Sequence, residues 1–268
     1  MIDVIRQKIS EARSYEEKFN KAREFLQLLV LKIIFDRKYF NNIAFVGGTA
    51  LRVLYNHKRF SEDLDFSLVE KKGYSFRSLA GGLKNDLKQY GLAVEIPVKD
   101  KNTVNSSMMK FPELLNELGL SNIKGQKLAV KLEVDTNPPK GWKLALTPVS
   151  SSFVFAVSHF DLPSLFATKI HACFFRKYSK GRDFYDLAWY FGRRIKPNYE
   201  LLNNAIRQTE GDMPQITQEN IKKFFLERIN KLDFGALKKD VERFLEDKNE
   251  LSMLDKSIMA GIVKTAEL

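Results

Sequence analysis

The chain has 268 residues, 44% of them apolar, enough for a sizeable core in one large or two smaller domains and too many for disorder to be the default. Lys and Arg outnumber Asp and Glu by 44 to 33, and the formal net charge of +11 favours a polyanionic partner such as nucleic acid, or an acidic protein. A lone Cys173 excludes an intrachain disulfide and, with only His57, His159 and His171 beside it, the usual closed zinc site; a reducing compartment fits best.

The first residues, Met1–Ser14, are charged and amphipathic and lack the apolar stretch of a secretion signal. The longest apolar run, Phe25–Phe35, is broken by Lys32 and is too short for a bilayer, so a cytoplasmic protein without membrane association is expected. Helices are expected over 2–17 and 20–38, the second with Phe25, Leu28, Leu29 and Ile33 at helical spacing. Ile43–Val46 reads as a buried strand running into the Gly47-Gly48 turn, and Thr49 as the cap of a helix near 49–57. Asp63–Leu68 reads as a strand, and Phe76–Tyr90 as a helix closed by Gly91. Leu92–Val98 and Val104–Phe111 alternate well enough for a hairpin, with a helical excursion over Pro112–Leu118. Leu128–Asp135 is the clearest strand: Val130, Leu132 and Val134 point one way and Lys131, Glu133 and Asp135 the other, before Asn137-Pro138-Pro139 ends it. A further strand is expected over Phe153–Val157.

Beyond residue 160 the pattern is helical, near 162–176, 182–192, 199–208, 218–230, 235–247 and 251–266. The expected fold is therefore α+β: a lobe over 1–158 with a mixed sheet flanked by helices, and a helical bundle over 159–268.

The chemistry concentrates around the first glycine turn. Asp63 and Asp65 fall on one face of their strand, about 6–7 Å apart from the rise per residue. Such a pair suits Mg²⁺, which binds through one or two carboxylates together with substrate phosphates and waters. Two ions could activate an attacking hydroxyl and stabilise a leaving pyrophosphate, and such a site wants a third carboxylate. Glu133 is the best candidate and Asp135 the alternate. Gly47 and Gly48 permit close backbone approach to a triphosphate, with the positive end of the following helix behind them. Thr49, Arg59 and Ser61 are further candidate phosphate contacts. Asp-x-Asp alone reads more readily as an exposed acidic edge strand, and Gly-Gly alone as a tight turn; joined to each other and to the strand-borne Glu133, they point to nucleotidyl transfer.

A second centre lies in the helical part. Lys169 shares a stripe with Leu165 and Cys173, as a cation for the β- or γ-phosphate or as a lysine laying its stem on the core. Asp183 and Asp186 are neighbours at i, i+3, either answering the helix dipole or orienting the lysine and accepting a proton. Lys169, Arg176, Lys177, Lys180, Arg182, Arg193, Arg194 and Lys196 interleave with aromatic residues as an RNA-tracking surface would, although helical spacing assigns most of those rings to the core.

Four blocks together resemble the AbiEii/AbiGii toxin family: Gly47-Gly48-Thr49-Ala50-Leu51; Arg59-x-Ser61-x-Asp63-x-Asp65-Phe66; Lys131-x-Glu133-Val134-Asp135-Thr136-Asn137-Pro138-Pro139; and Lys169 … Arg182-Asp183-x-x-Asp186-Leu187. The resemblance runs from about residue 43 to 192 and implies a nucleotidyltransferase fold related to DNA polymerase β. It further implies a type IV toxin–antitoxin or phage-defence toxin using Mg²⁺ and an NTP, an RNA acceptor such as the 3′ end of tRNA, and a cognate antitoxin. Carried across, Asp63 and Asp65 become metal ligands, Gly48 and Thr49 phosphate contacts, Glu133 the third acid, and Lys169 with Asp183 or Asp186 a second essential pair. Two rival functions remain open: γ-phosphoryl transfer to a protein Ser or Thr, and a non-catalytic RNA- or partner-binding module.

Overall fold

The computed structural model describes residues 1–123 and 125–268. The chain forms two compact units, one of residues 1–137 and 145–159, the other of residues 138–144 and 160–268.

In chain order the elements of the first unit are α1 (Ile2–Ile9), α2 (Tyr15–Asp36), β1 (Ile43–Val46), α3 (Gly47–Tyr55), β2 (Asp63–Leu68), α4 (Phe76–Gln89), β3 (Val104–Phe111), the single turn α5 (Leu114–Glu117), β4 (Leu128–Asp135), β5 (Leu144–Ser150) and β6 (Val154–Phe160). The six strands make one mixed sheet in the order β3-β4-β2-β1-β6-β5. β2 runs antiparallel to β1 and parallel to β4, β3 is antiparallel to β4, and β1 is parallel to β6. Alternation decides the two faces: Leu64, Phe66, Leu132, Val134 and Phe45 are all buried and share one side through the β1–β2–β4 register. α2 packs against β4 and α4 and buries Leu26, Leu29, Val30 and Ile33. The opposite side of β2 and β4 carries the acids.

Several boundaries differ from the sequence reading, each for a local reason. The helix expected over 2–17 stops at Ile9. Ser14 then accepts from the Glu17 amide at 3.1 Å while the Glu17 carboxylate accepts from the Arg13 amide at 2.8 Å, a reciprocal cap that opens α2. α3 begins at Gly47 rather than Thr49, with Val46 in the cap position and no side-chain cap, so Thr49 sits inside the first turn. Residues 92–98 do not form a strand. Glu95 and Lys99 exchange backbone bonds with Lys110 and Ser106 of β3, but Pro97, which has no N–H, falls at the rung between them. β5 is an unanticipated strand. It lies at the sheet edge, holds Pro148 where an edge tolerates it, and exposes Leu144 and Leu146.

The second unit contains α6 (Leu162–Phe175), α7 (Gly181–Gly192), α8 (Tyr199–Glu210), α9 (Ile221–Ile229), α10 (Phe234–Val241) and α11 (Lys256–Thr265). α6 is apolar nearly all round and packs on α7 and α8; Phe166 stacks on Tyr190 with ring centroids 4.4 Å apart. α7 packs on α10 and α11, and α9 on α11. The helix expected over 235–247 gives way to a 3-10 turn after Val241. That expected over 251–266 starts only at Lys256, where Asp255 accepts from the amides of Ser257 and Ile258.

Candidate active site

The glycine turn and the acidic strand are built as one piece. Gly47 has φ +81°, which favours glycine, and a Cβ there would stand 2.4 Å from Asp65 Oδ2. A Cβ on Gly48 would stand 2.2 Å from a guanidinium nitrogen of Arg59. Both glycines therefore lie tight against neighbours, the first against a carboxylate and the second against the guanidinium of a buried arginine. Arg59 is 3% exposed and donates to the Phe60 carbonyl at 3.0 Å. Thr49 is fully buried and donates its hydroxyl to the Asp63 carbonyl. That bond ties α3 to the start of β2.

The loop before β2 is held from α2. Gln27 donates to the Ser61 carbonyl at 3.0 Å, and Arg23 pairs with Glu62 at 3.2 Å. Arg23 and Gln27 lie one helical turn apart and are both buried, so α2 presents a polar pair to Ser61 and Glu62 immediately ahead of Asp63. Neither residue stood out in the sequence. The signal was polar residues at i, i+4 within an otherwise apolar helix.

The parallel β2–β4 register sets Asp63 opposite Lys131, Asp65 opposite Glu133 and Ser67 opposite Asp135. Asp63, Asp65, Glu133 and Asp135 thus share one face of the sheet, all partly exposed. Of the two acids considered for the third position, Glu133 stands beside Asp65. Asp135 lies further along, accepts from the Asn137 amide at 2.9 Å in the turn that ends β4, and is shifted up by burial. A ready-made three-carboxylate cradle is not formed. Among the described residues no three His, Cys, Asp or Glu side chains converge on a common point within ligating reach. Glu133 instead closes on the Lys131 ammonium at 2.7 Å, while Asp65 lies against Gly47. Burial lowers the Lys131 pKa, but the bond to Glu133 and the charges of Glu133, Asp63 and Asp65 outweigh it and hold the amine above its ordinary value. By donor chemistry, Asp63, Asp65 and Glu133 fit a hard, oxygen-seeking divalent ion.

In the second unit Lys169, Asp183 and Asp186 do come together. The ammonium lies 2.7 Å from Asp183 Oδ1 and 2.8 Å from Asp186 Oδ2, and Arg176 reaches the other Asp183 oxygen at 3.2 Å. Lys169 and both acids are buried, whereas the Arg176 side chain is about half exposed. Burial raises the Asp183 pKa, yet Lys169 and Arg176 overcome it and hold the carboxyl below its usual range. The lysine is thus held between two carboxylates rather than laying its ammonium out to solvent. Burial pushes the Cys173 thiol well up, as for an inert core residue. Among the interleaved aromatics Phe174, Phe184, Tyr185, Tyr190 and Phe191 are core, while Tyr178 is 70% exposed with Lys177 over its ring at 5.4 Å.

Residues 29–257 match the model of a family described as nucleotidyl transferase AbiEii toxin, Type IV TA system. The chain belongs to the AbiEii family. It is therefore a nucleotidyltransferase of the type IV toxin–antitoxin class, with an NTP substrate and an antitoxin partner implied by that membership. The fold agrees with two Helicobacter pylori crystal structures. JHP933 is 20% identical, with 92% of this chain and 91% of that one covered and a TM-score of 0.58. A second, assigned provisionally as a nucleotidyltransferase, is 20% identical with 91% and 93% covered and a TM-score of 0.52. No curated protein matches the chain. No helix among the described residues is long and apolar enough to cross a membrane.

Proposed function

We propose that this AbiEii-family chain transfers a nucleoside monophosphate from an NTP to the 3′ end of an RNA, with the acceptor end of tRNA as substrate, in a Mg²⁺-dependent reaction in the cytoplasm, as a toxin that also serves phage defence. The observation that supports the reading most is the β2–β4 register, which sets Glu133 beside Asp65 on the face reached by the Gly47-Gly48 turn. Asp63, Asp65 and Glu133 would hold the Mg²⁺, which supplies positive charge against the phosphates when bound. The amides at the start of α3 would take phosphate oxygens, since Gly47 and Gly48 carry no side chain to obstruct approach. Thr49, Arg59, Gln27 and Arg23 position that turn and the Asp63 strand. The acceptor 3′-oxygen bonds to the α-phosphorus as the bond to the pyrophosphate oxygen breaks, and the hydroxyl proton leaves to water. Positioning and electrostatics supply most of the rate. Lys169, Asp183 and Asp186 form a buried ordering centre whose exposed cation is Arg176, and the basic residues of that helical region supply affinity for the RNA backbone.

The test is transfer of label from α-³²P-NTP to total tRNA. Asp65→Asn should abolish transfer while leaving the melting temperature near that of the parent. Retention of full transfer overturns the assignment. Label moving to protein from γ-³²P-ATP, with none moving from α-labelled NTP, would make the enzyme a phosphoryl transferase instead.

A further inference from the structure

Lys131 is the one basic side chain that the β2–β4 ladder sets on the acidic face. Its Cα faces Asp63 across the strands, its ammonium is bonded to Glu133 at 2.7 Å, and it feels the charges of Asp63 and Asp65 as well. Lysine and acid sit two residues apart on β4, so the pleat itself puts them on the same side. Both side chains are partly open to solvent, 38% for Lys131 and 26% for Glu133. An ion pair exposed to that degree is worth little by itself, about 0–1 kcal/mol, so it exchanges readily for a stronger partner. While it stands, the Glu133 oxygen bonded to the ammonium is not offered to another cation.

We propose that Lys131 is a resident cation of the acidic face: it occupies Glu133 until nucleotide arrives, then transfers its ammonium to the nucleotide's phosphates and releases Glu133 to a divalent ion. The device rests on the reading that Asp63, Asp65 and Glu133 are the metal ligands. It makes full metal binding depend on nucleotide, because the triphosphate supplies the alternative anion that Lys131 needs. It also explains why the acids do not converge as the side chains stand, since one of them is held by an internal counter-ion. No covalent step is involved; one ion pair is exchanged for two others.

The experiment measures Mn²⁺ binding by the electron paramagnetic resonance of free Mn²⁺, with and without a non-hydrolysable NTP analogue. Lys131→Met, which keeps the stem and removes the charge, should bind Mn²⁺ without nucleotide about three- to tenfold more tightly than the parent, the scale of one nearby, partly exposed charge. It should also lose most of the tightening that the analogue gives the parent, and its KM for NTP should rise. Lys131→Arg, which retains the charge, should resemble the parent without nucleotide. Unchanged or weaker Mn²⁺ affinity in Lys131→Met overturns the proposal. Asp65→Asn separates the two levels of argument. If it binds Mn²⁺ as the parent does, the metal assignment itself fails; if it loses Mn²⁺ while Lys131→Met is unaltered, only the role of Lys131 fails.

Discussion

Gly47→Ala tests whether the turn is shaped by its neighbours. Two costs add at this position. The backbone has φ +81°, where a Cβ costs about 1–2 kcal/mol. The new methyl would also stand 2.4 Å from Asp65 Oδ2 and 3.1 Å from Asp65 Cβ. The second distance is not to the flexible end of a side chain, so the strand or the turn must shift, at about 1–3 kcal/mol for overpacking. Together these predict a loss of roughly 2–5 kcal/mol, which at about 2–4 °C per kcal/mol for a chain of this class is a fall of roughly 4–20 °C in melting temperature. Gly73 is the control, with φ +78° and nothing within 4 Å of its virtual Cβ, so Gly73→Ala carries the backbone cost alone. The assay pairs circular-dichroism melts of both variants with α-labelled NTP transfer well below either melting point. Gly47→Ala should melt lower than Gly73→Ala and lose transfer through the displaced Asp65, while Gly73→Ala keeps it. Equal melting temperatures and intact transfer in both would refute the reasoning.

Lys169→Met should destabilise the second unit by about 3–5 kcal/mol, because it leaves the buried Asp183 and Asp186 carboxylates without their shared cation; a denaturant titration that moves by less than 1 kcal/mol, below the range for an uncompensated buried charge, contradicts this. Asp183 titrates below its ordinary value of 3.8 in the folded chain, so its contribution is present above that pH and fades as acid drives the pH down through the folded value. The stability gap between the parent and Asp183→Asn should accordingly be open at neutral pH and close in acid, and a gap independent of pH would count against the ion pair. Tyr178→Ala should raise the KM for RNA about fivefold or more, the lower end of the range for one lost base stack, with the KM for NTP unmoved. Initial rates against RNA concentration decide it, and an unchanged KM excludes Tyr178 from the acceptor contact.

Legibility in the sequence followed the range of the interactions. β4 was read over its full length because its alternation is complete and both ends are marked by turn residues. β5 escaped because it is an edge strand that turns Leu144 and Leu146 to solvent and carries Pro148, so its pattern inverts the usual one. The break between α1 and α2 is written locally, in the cap spacing of Ser14-x-x-Glu17. The candidate residues around Asp63, Asp65 and Glu133 were visible as types on faces, since pleat geometry follows from spacing alone.

The sequence by itself determined the family and the strand faces that carry the acids, because each depends on motif order or on the period of two residues. Only the tertiary structure decided that Thr49 is an internal strut, that Arg59 is buried against Gly48, that Lys131 holds Glu133, and that Lys169 is locked between two carboxylates. The physical reason is that an ion pair or a close packing contact depends on which rotamers and which neighbours meet in space, within one strand for Lys131 and Glu133 and between elements for the others. Spacing along the chain says which way a side chain points, but not which partner waits there.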